Sequence, residues 1–357
     1  MKGAIRALVP ADVPAIAALR SRAFRFSEWA TRPELERALH HTFFGNPWSD
    51  GQSPSLVYER DRRIVGFLGV VPRPFRCRER RITVAMSTLF MTDPDDRGFA
   101  GIELLARFFE GTQDLALADS ANDASRLLWT RAGGVAVPGY GMTWSRPLRP
   151  FEHTLGRTLS GAGLGLGRGL RPLARLLDAI AARRGPEACR PPRAAAGHQV
   201  TLREFAQVAE DMARHYALAS ETDEAALEWL VKWVEGRRDL GAVRPVVVSD
   251  EAGAVLGCYL YAGDRIAVKP VIQFCARERE FDTVLDDLAY RAWREGAVLV
   301  EGRADGQQMP LFGKRRDVVL HQGSWVLAHS RDPGVMEAVQ QGDCFLSRLD
   351  GEWWMRF

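Results

Sequence analysis

The sequence has few cysteines and histidines and no long apolar run, and each shortage excludes a class of protein. The five cysteines among 357 residues form no CxxC pair, and their odd number argues against a disulfide framework. We expect them to be inert buried thiols. The seven histidines contain no HExxH motif, so no metal site is predicted.

A membrane-spanning or secreted protein is also not expected. No run approaches the roughly 18 to 20 apolar residues of a spanning helix. Pro10, Asp12 and Pro14 interrupt the N-terminal segment where a signal peptide needs a smooth apolar run. We therefore predict a soluble, cytoplasmic protein.

The charge is nearly balanced but unevenly distributed. The 48 basic and 45 acidic residues give a net charge of +3. Residues 151–197 hold eight arginines and three acidic residues, a charge of +5, which leaves −2 for the remaining 310 residues. Because phosphate binding needs a coherent basic surface, a nucleic-acid partner is not expected. The 46% of hydrophobic residues are enough for two ordinary cores.

The basic segment 151–197 is also rich in glycine, proline and alanine, which is typical of a linker. It divides the chain into predicted domains at 1–150 and 198–357. Within the linker, apolar residues recur at helical spacing and predict an amphipathic helix: Leu170, Leu173, Leu176, Leu177 and Ile180. We expect this helix to pack on a domain; the alternative is a helix lying on anionic lipid.

The two flanking segments repeat each other in outline. Strand-like runs at 56–59 and 64–70 enclose a polar turn, and runs at 246–249 and 255–261 do the same. Matching Gly66 with Gly257 gives an offset of 191 residues. This repetition predicts an internal duplication and a fold of class α/β (α+β) built from two mixed α/β units.

A strand followed by a glycine-bearing turn and a helix carries the strongest chemical signal. The run 82–91 predicts a buried strand, and an apolar-periodic helix starts near Gly101. The first amides of a helix have no intrahelical partner and lie at the positive end of its dipole, which suits a pyrophosphate. A plain connection remains the alternative at this point. A second strand at 114–118 and a helix from Asn122 to Gly133 follow.

In this order and spacing the chain resembles the GCN5-related N-acetyltransferase (GNAT) family. The resemblance rests on Ile5–Leu8, the hairpin ending at Ile64–Gly66, the Arg97-Gly98…Gly101 turn, and Asn122 to Gly133. It covers most of residues 5–147, and 198–330 looks like a fainter second copy, as in tandem-domain members. It implies a twisted mixed sheet whose two central parallel strands splay apart, with acetyl-CoA or another acyl-CoA as the donor substrate in the cleft.

The resemblance also implies a role for particular residues. The backbone of Leu89, Phe90 and Met91 would pair with the pantetheine arm, and Asn122 would lie near the donor. The amides that would hold the pyrophosphate belong to one short turn: Arg97, Gly98, Phe99, Ala100 and Gly101.

The sequence departs from the family pattern at the positions that carry proton transfer. Trp129 stands where a tyrosine often acts as general acid, and Ser87–Phe90 offers no carboxylate where many relatives place a base. The remaining catalytic candidates are Asp119 as base and Tyr140 as acid. The structural alternatives are a capping or turn role for Asp119 and a half-buried aromatic role for Tyr140.

In the second unit, Glu278 and Glu280 precede the corresponding helix and would repel a pyrophosphate. We therefore predict a degenerate donor site there, in a unit that shapes the acceptor site. The last residues, 344–357, end in a Trp353-Trp354 pair that we expect to dock on a domain surface.

The first hypothesis is an acyltransferase that moves an acyl group, expected to be acetyl, from coenzyme A to an amine or hydroxyl of a small molecule or sugar. The second is an aminoacyl-tRNA-dependent transferase of the same duplicated fold, and the third a non-catalytic binding module.

Overall fold

The structure is a computed structural model that describes residues 3–24, 31–49, 51–95, 99–162, 167–184, 190–221, 223–237, 240–263 and 267–355. The strands are β1 Ala4–Ala7, β2 Leu56–Arg60, β3 Arg63–Cys77, β4 Arg80–Thr92, β5 Leu115–Ala121, β6 Val135–Ala136, β7 Met142–Pro147, β8 Ala195–Gln199, β9 Leu218–Ser220, β10 Val243–Asp250, β11 Val255–Ala262, β12 Val268–Ala276, β13 Leu299–Arg303, β14 Val319–Gln322, β15 Trp325–His329 and β16 Cys344–Phe345. The helices are α1 Val13–Ala23, α2 Arg32–Phe44, α3 Ala100–Phe109, α4 Asp123–Arg131, α5 Pro150–Ala162, α6 Gly167–Arg184, α7 Leu202–Ala213, α8 Glu224–Glu235, α9 Phe281–Arg294, α10 Met309–Lys314 and α11 Pro333–Gln340.

Local sequence explains how several of these elements begin and end. The polar turn between β2 and β3 places Asp61 and Arg62 at φ of 49° and 60°, the left-handed pair that a tight two-residue hairpin requires. Helix α2 begins with a capping box: the Thr31 hydroxyl accepts from Glu34 N, and the Glu34 carboxylate accepts from Thr31 N at 3.1 Å. Both groups satisfy amides that would otherwise have no partner.

The first sheet has nine strands. Its main order is β1-β2-β3-β4-β5-β15-β6, and β9 joins it along β3, with β16 beside β9. The pair β4–β5 is parallel, and helix α3 connects its two strands. Leu104, Leu105 and Phe108 of α3 are buried against this sheet together with Trp129 of α4, so the apolar face of each helix covers the sheet.

The second sheet has seven strands in the order β14-β7-β13-β12-β11-β10-β8. It too contains an antiparallel meander, β10-β11-β12, that leads through a helix, α9, to a parallel pair, β12–β13. Each predicted hairpin therefore belongs to the same succession of elements: an antiparallel meander, then a helix, then a parallel strand pair. This agrees with the predicted duplication. The fold class of two mixed sheets flanked by helices is confirmed.

Strands are exchanged between the halves of the sequence: besides β9 and β16, which join the first sheet from the second half, β7 and β15 also change sheets. β7 lies in the second sheet between β14 and β13, and β15 lies in the first sheet between β5 and β6. By contacts, the compact units are residues 1–141, 216–222 and 323–357, and residues 142–215 and 223–322. The predicted domains, 1–150, 151–197 and 198–357, are consecutive in the sequence and stay a prediction. The compact units are not consecutive, because each contains strands from both halves of the sequence.

The predicted linker contains two helices, α5 and α6, of which only α6 was expected. The expected packing of its apolar residues is not observed within the described side chains: Leu173 is 53% exposed and Leu176 is 57% exposed. The buried positions are Ala174 and Asp178, whose carboxylate accepts from the amides of Phe151 and Glu152 at the start of α5. A capping carboxylate, rather than the leucines, therefore fixes α6 against α5. Among the described residues, no helix combines the length and hydropathy needed to cross a bilayer.

Candidate active site

The two central strands of the first sheet separate after three residue pairs. β4 and β5 pair from Val84–Leu115 to Met86–Leu117, and within the described residues no strand fills the space between them beyond Met86. On its other side β4 stays paired with β3 as far as Thr92. The separation therefore leaves a fork whose two arms are Ser87–Thr92 and Ala118–Ala121.

A β-bulge turns the backbone of β4 toward this fork. The register between β3 and β4 shifts between Phe67 and Gly69, so that Leu89 and Phe90 stand opposite Leu68 alone. Leu89 has a φ of 48°, an unusual conformation for a residue with a branched side chain. Bulges of this kind redirect backbone groups and are over-represented beside active sites.

The fork opens into a cleft of about 420 Å³. Its walls come from β4, β5, the start of α4 and the C-terminal residues, and its lining includes Ser87, Thr88, Leu89, Phe90, Ala118, Ser120, Ala121, Asn122, Ser125, Trp129, Glu352 and Trp353.

The C-terminal segment enters the fork and contacts both arms. Leu89 N donates to Oε1 of Glu352 at 2.9 Å, and the Thr88 side chain hydrogen-bonds to the same carboxylate. On the other arm, Glu352 N donates to Oδ1 of Asp119 at 2.7 Å. A Cβ on Gly351 would overlap the Asp119 carboxylate, so this approach requires glycine. Glu352 is thereby held between β4 and β5.

A buried ion pair anchors the segment one turn earlier. Arg73 of β3 lies 3.5 Å from Asp350, with both side chains at most 1% exposed, and it donates to the Leu349 carbonyl at 2.8 Å. The guanidinium also lies over the Trp48 ring, 3.9 Å from its centre. Oδ2 of Asp350 accepts from both the amide and the hydroxyl of Ser347 at 2.7 Å. These contacts give the C-terminal segment a defined path.

The position of Glu352 makes its carboxyl group a weak acid. Desolvation and the nearby Asp119 carboxylate raise its pKa to about 7, although hydrogen bonds from Thr88 and Leu89 N offset part of the effect. A carboxyl group with this pKa exchanges protons readily near neutral pH.

The structure brings several of the predicted donor-binding residues together at the cleft. Leu89 and Phe90 line it, whereas Met91 is buried behind them. Since Leu89 N already donates to Glu352, the β4 edge left for a pantetheine arm begins at Phe90. Asn122 lines the cleft as the N-cap of α4, where its side chain accepts from Ser125 N at 2.9 Å.

The predicted pyrophosphate turn is described only in part. Arg97 and Gly98 lie outside the described residues. Phe99 is the N-cap of α3 and is 77% exposed, and Ala100 and Gly101 form its first, buried turn. A Cβ at Gly101 would meet Leu128 and Phe90 at 3.5 Å, an ordinary contact. A larger residue than glycine therefore fits sterically at position 101.

The two predicted catalytic residues are both buried, Asp119 at 2% and Tyr140 at 1% exposure. Asp119 lies at the fork but binds Glu352 N, and Tyr140 accepts a hydrogen bond from Cys344 N at 3.1 Å. Neither is among the residues that line the cleft. Their roles as base and acid stay predictions. Trp129 does reach the cleft, at 1% exposure, with its ring edge-on to Phe109.

In the second unit, a single 3-10 turn, Glu278–Glu280, precedes α9, and Glu280 is its N-cap. The predicted repulsion of a pyrophosphate from this position stays a prediction.

Comparison with known proteins gives no match by sequence but many by fold. No protein-family model and no curated protein matches the sequence. Solved structures, in contrast, match nearly the whole chain. A probable N-acyltransferase of unknown function from Enterococcus faecalis V583 is 12% identical, over 96% of this chain and 74% of its own, with a TM-score of 0.58. A GCN5-related N-acetyltransferase from Anabaena variabilis ATCC 29413 is 12% identical, over 91% and 72%, with a TM-score of 0.59.

The chain has the GNAT fold. The match extends to Saccharomyces cerevisiae N-myristoyltransferase with bound myristoyl-CoA, at 10% identity over 97% of this chain and 85% of its own, with a TM-score of 0.50. The predicted resemblance is thus confirmed at the level of the GNAT fold, and it extends over both units.

Sequence reasoning missed the residue with the most perturbed acidity in the cleft. Glu352 follows a glycine and precedes two tryptophans near the C-terminus, a pattern that predicts packing but no chemistry. The signal that could have indicated it is the lack of a carboxylate at Ser87–Phe90, where the resemblance to the GNAT family implies a general base.

Proposed function

We propose that the first unit is an acyltransferase that uses acyl-CoA as donor. The observation that carries this proposal is the fork between β4 and β5: in a GNAT fold, it opens into a cleft with a bulged backbone on one arm, and helix α3 follows that arm along the chain. These are the parts that a thioester, a pantetheine chain and a diphosphate need.

Each part of the donor has a candidate partner. The β4 edge from Phe90 onward would pair with the pantetheine amides, as an added strand does. The amides at the start of α3 would face the diphosphate, because the first amides of a helix have no intrahelical acceptor and the helix dipole favours negative charge there. Asn122 would lie beside the donor where α4 begins.

The acceptor would be an amine or a hydroxyl of a small molecule or sugar. Its nucleophilic atom attacks the thioester carbonyl, the C–S bond breaks, and the coenzyme A thiolate leaves. The protein contributes by orienting the two reactants, by stabilising the developing oxyanion and by accepting the proton of the nucleophile. We expect the transferred acyl group to be acetyl. The binding test below compares acetyl-CoA with myristoyl-CoA, which carries a longer acyl chain.

Binding of acetyl-CoA, measured by isothermal titration calorimetry, tests the proposal. Ser120 is an exposed residue on the β5 arm that lines the cleft. The variant Ser120→Trp should fill the cleft and weaken binding at least tenfold. Leu127→Trp is the matched control, because Leu127 is 50% exposed on α4 and is not part of the lining.

We expect the wild type and Leu127→Trp to bind alike. Absence of binding at about 1 mM acetyl-CoA or myristoyl-CoA would refute the proposal and leave the tRNA-dependent transferase and the non-catalytic module. Equal binding by Ser120→Trp would refute the location of the site.

A further inference from the structure

We propose that Glu352 is the general base of the transfer reaction; this assignment rests on the proposed function. Glu352 lines the cleft, and its carboxylate is held at the point where the arms of the fork separate. Its Oε1 lies 2.9 Å from Leu89 N, on the bulged segment of β4 that would flank the thioester.

The step is a simple proton transfer coupled to substitution. The acceptor nitrogen or oxygen forms a bond to the thioester carbon, and the carbon–sulfur bond breaks. The proton of the nucleophile passes to the Glu352 carboxylate, directly or through one water, and the thiolate leaves with the electron pair of the broken bond. The proton then returns to solvent, so that no other reactant is consumed.

The surroundings of Glu352 are built for a fixed carboxylate. Thr88 and Leu89 N hold its side chain from β4, and Asp119 holds its main chain from β5. The Arg73–Asp350 pair fixes the chain just before it. A general base must be held within hydrogen-bond reach of its substrate, and this arrangement provides such a position.

The acidity of Glu352 agrees with this role. Its raised pKa, about 7, means that the carboxylate is a far stronger base than an ordinary glutamate at neutral pH. Among the charged groups that face it, Asp119 on β5 raises the pKa. Asp350, on the same segment, is paired with Arg73.

Asp119 is the competing base, and its geometry indicates a different function. It is 2% exposed, it is not part of the cleft lining, and its Oδ1 accepts from Glu352 N. We therefore treat Asp119 as a positioning residue that holds Glu352 and raises its pKa.

The experiment measures thiol release from acetyl-CoA with hydroxylamine, spermidine or glucosamine as acceptor, as a function of pH. Acetyl-CoA binding is measured in parallel. Glu352→Gln keeps the size of the side chain and an acceptor for Leu89 N, so we expect wild-type donor binding and a kcat reduced about 10²- to 10⁴-fold. In the pH–rate profile of the wild type, the rate should fall as the pH drops below about 7, and we call this part of the profile the acidic limb. The acidic limb should be absent in Glu352→Gln.

Two neighbouring variants should move the limb in opposite directions. Asp119→Asn removes the charge that raises the pKa of Glu352, so the acidic limb should move to lower pH. Thr88→Val removes a hydrogen bond to the carboxylate, so the limb should move to higher pH. A merely structural role would change melting temperatures without moving the limb.

The outcomes separate the two proposals. If the wild type binds no acyl-CoA, the proposed function fails. If it binds acetyl-CoA and Glu352→Gln keeps the wild-type rate or limb, only the assignment of Glu352 fails. Loss of activity in Asp119→Asn with retention in Glu352→Gln would make Asp119 the base. Donor binding without thiol release to any of the three acceptors would also overturn the assignment.

Discussion

Replacing Arg73 by methionine should strongly destabilise the first unit. The substitution keeps most of the side-chain volume but leaves the Asp350 carboxylate without its cation in a site where both side chains are at most 1% exposed. Removing one partner of a buried ion pair costs about 3–5 kcal/mol, because a desolvated charge remains. The contact between the guanidinium and Trp48 is lost as well. We expect the free energy of unfolding, measured by urea denaturation, to fall by an amount in this range.

The matched control is Arg81→Ala. Arg81 pairs with Glu221 at 2.9 Å, but the two side chains are 73% and 40% exposed, and such surface pairs contribute about 0–1 kcal/mol. The double variant Arg73→Met/Asp350→Asn tests the cause directly, since the new amide oxygen would still accept from Ser347 without carrying a charge. It should recover much of the stability lost by the single variant. A loss for Arg73→Met no larger than that of Arg81→Ala would refute the reasoning, as would a double variant less stable than the single one.

Three further predictions concern the segment around the cleft. Gly351→Ala should lower the melting temperature and displace Glu352, because the new Cβ overlaps Asp119, whereas Gly139→Ala, with nothing within 4 Å of its Cβ, should be nearly neutral; equal melting temperatures would contradict this. Since folding raises the pKa of Glu352 from 4.5 to about 7, its contribution to stability is present below pH 4.5 and is lost as the pH rises through 7, by at most about 3 kcal/mol. The wild type should therefore lose more stability between pH 5 and pH 8 than Glu352→Gln does, and parallel unfolding curves would exclude the raised pKa. Gly101→Ala in α3 should raise the melting temperature by the equivalent of about 1 kcal/mol, because the new Cβ would make only ordinary contacts, with Leu128 and Phe90; a lower melting temperature would show that the helix start needs glycine.

Local sequence predicted the elements whose signals are local. The helix expected to start near Gly101 is observed as Ala100–Phe109, and the strand expected at 82–91 is observed as Arg80–Thr92. Hydrophobic periodicity and turn residues act over a few neighbours, so such elements can be predicted from one sequence. The separation of β4 from β5 followed from the resemblance to the GNAT family.

The exchange of β7 and β15 and the position of Glu352 were not predictable in the same way. Each depends on pairing between residues far apart: Leu327 with Ala118, or Glu352 with Asp119. Nothing in the local pattern of the C-terminal residues specifies which strand they reach. The exposed leucines of α6 show the converse error, since helical spacing predicts an apolar face but not what covers it.

The exchanged strands have a consequence for the order of synthesis and folding. Because β15, Trp325–His329, lies between β5 and β6, the ribosome must translate nearly the whole chain before the first sheet can be completed. Until then, the edge of β5 has no neighbour on that side, and nascent chains with such open edges are prone to aggregate. We therefore expect chains truncated before Trp325 to require chaperones, even though they contain most of the first unit.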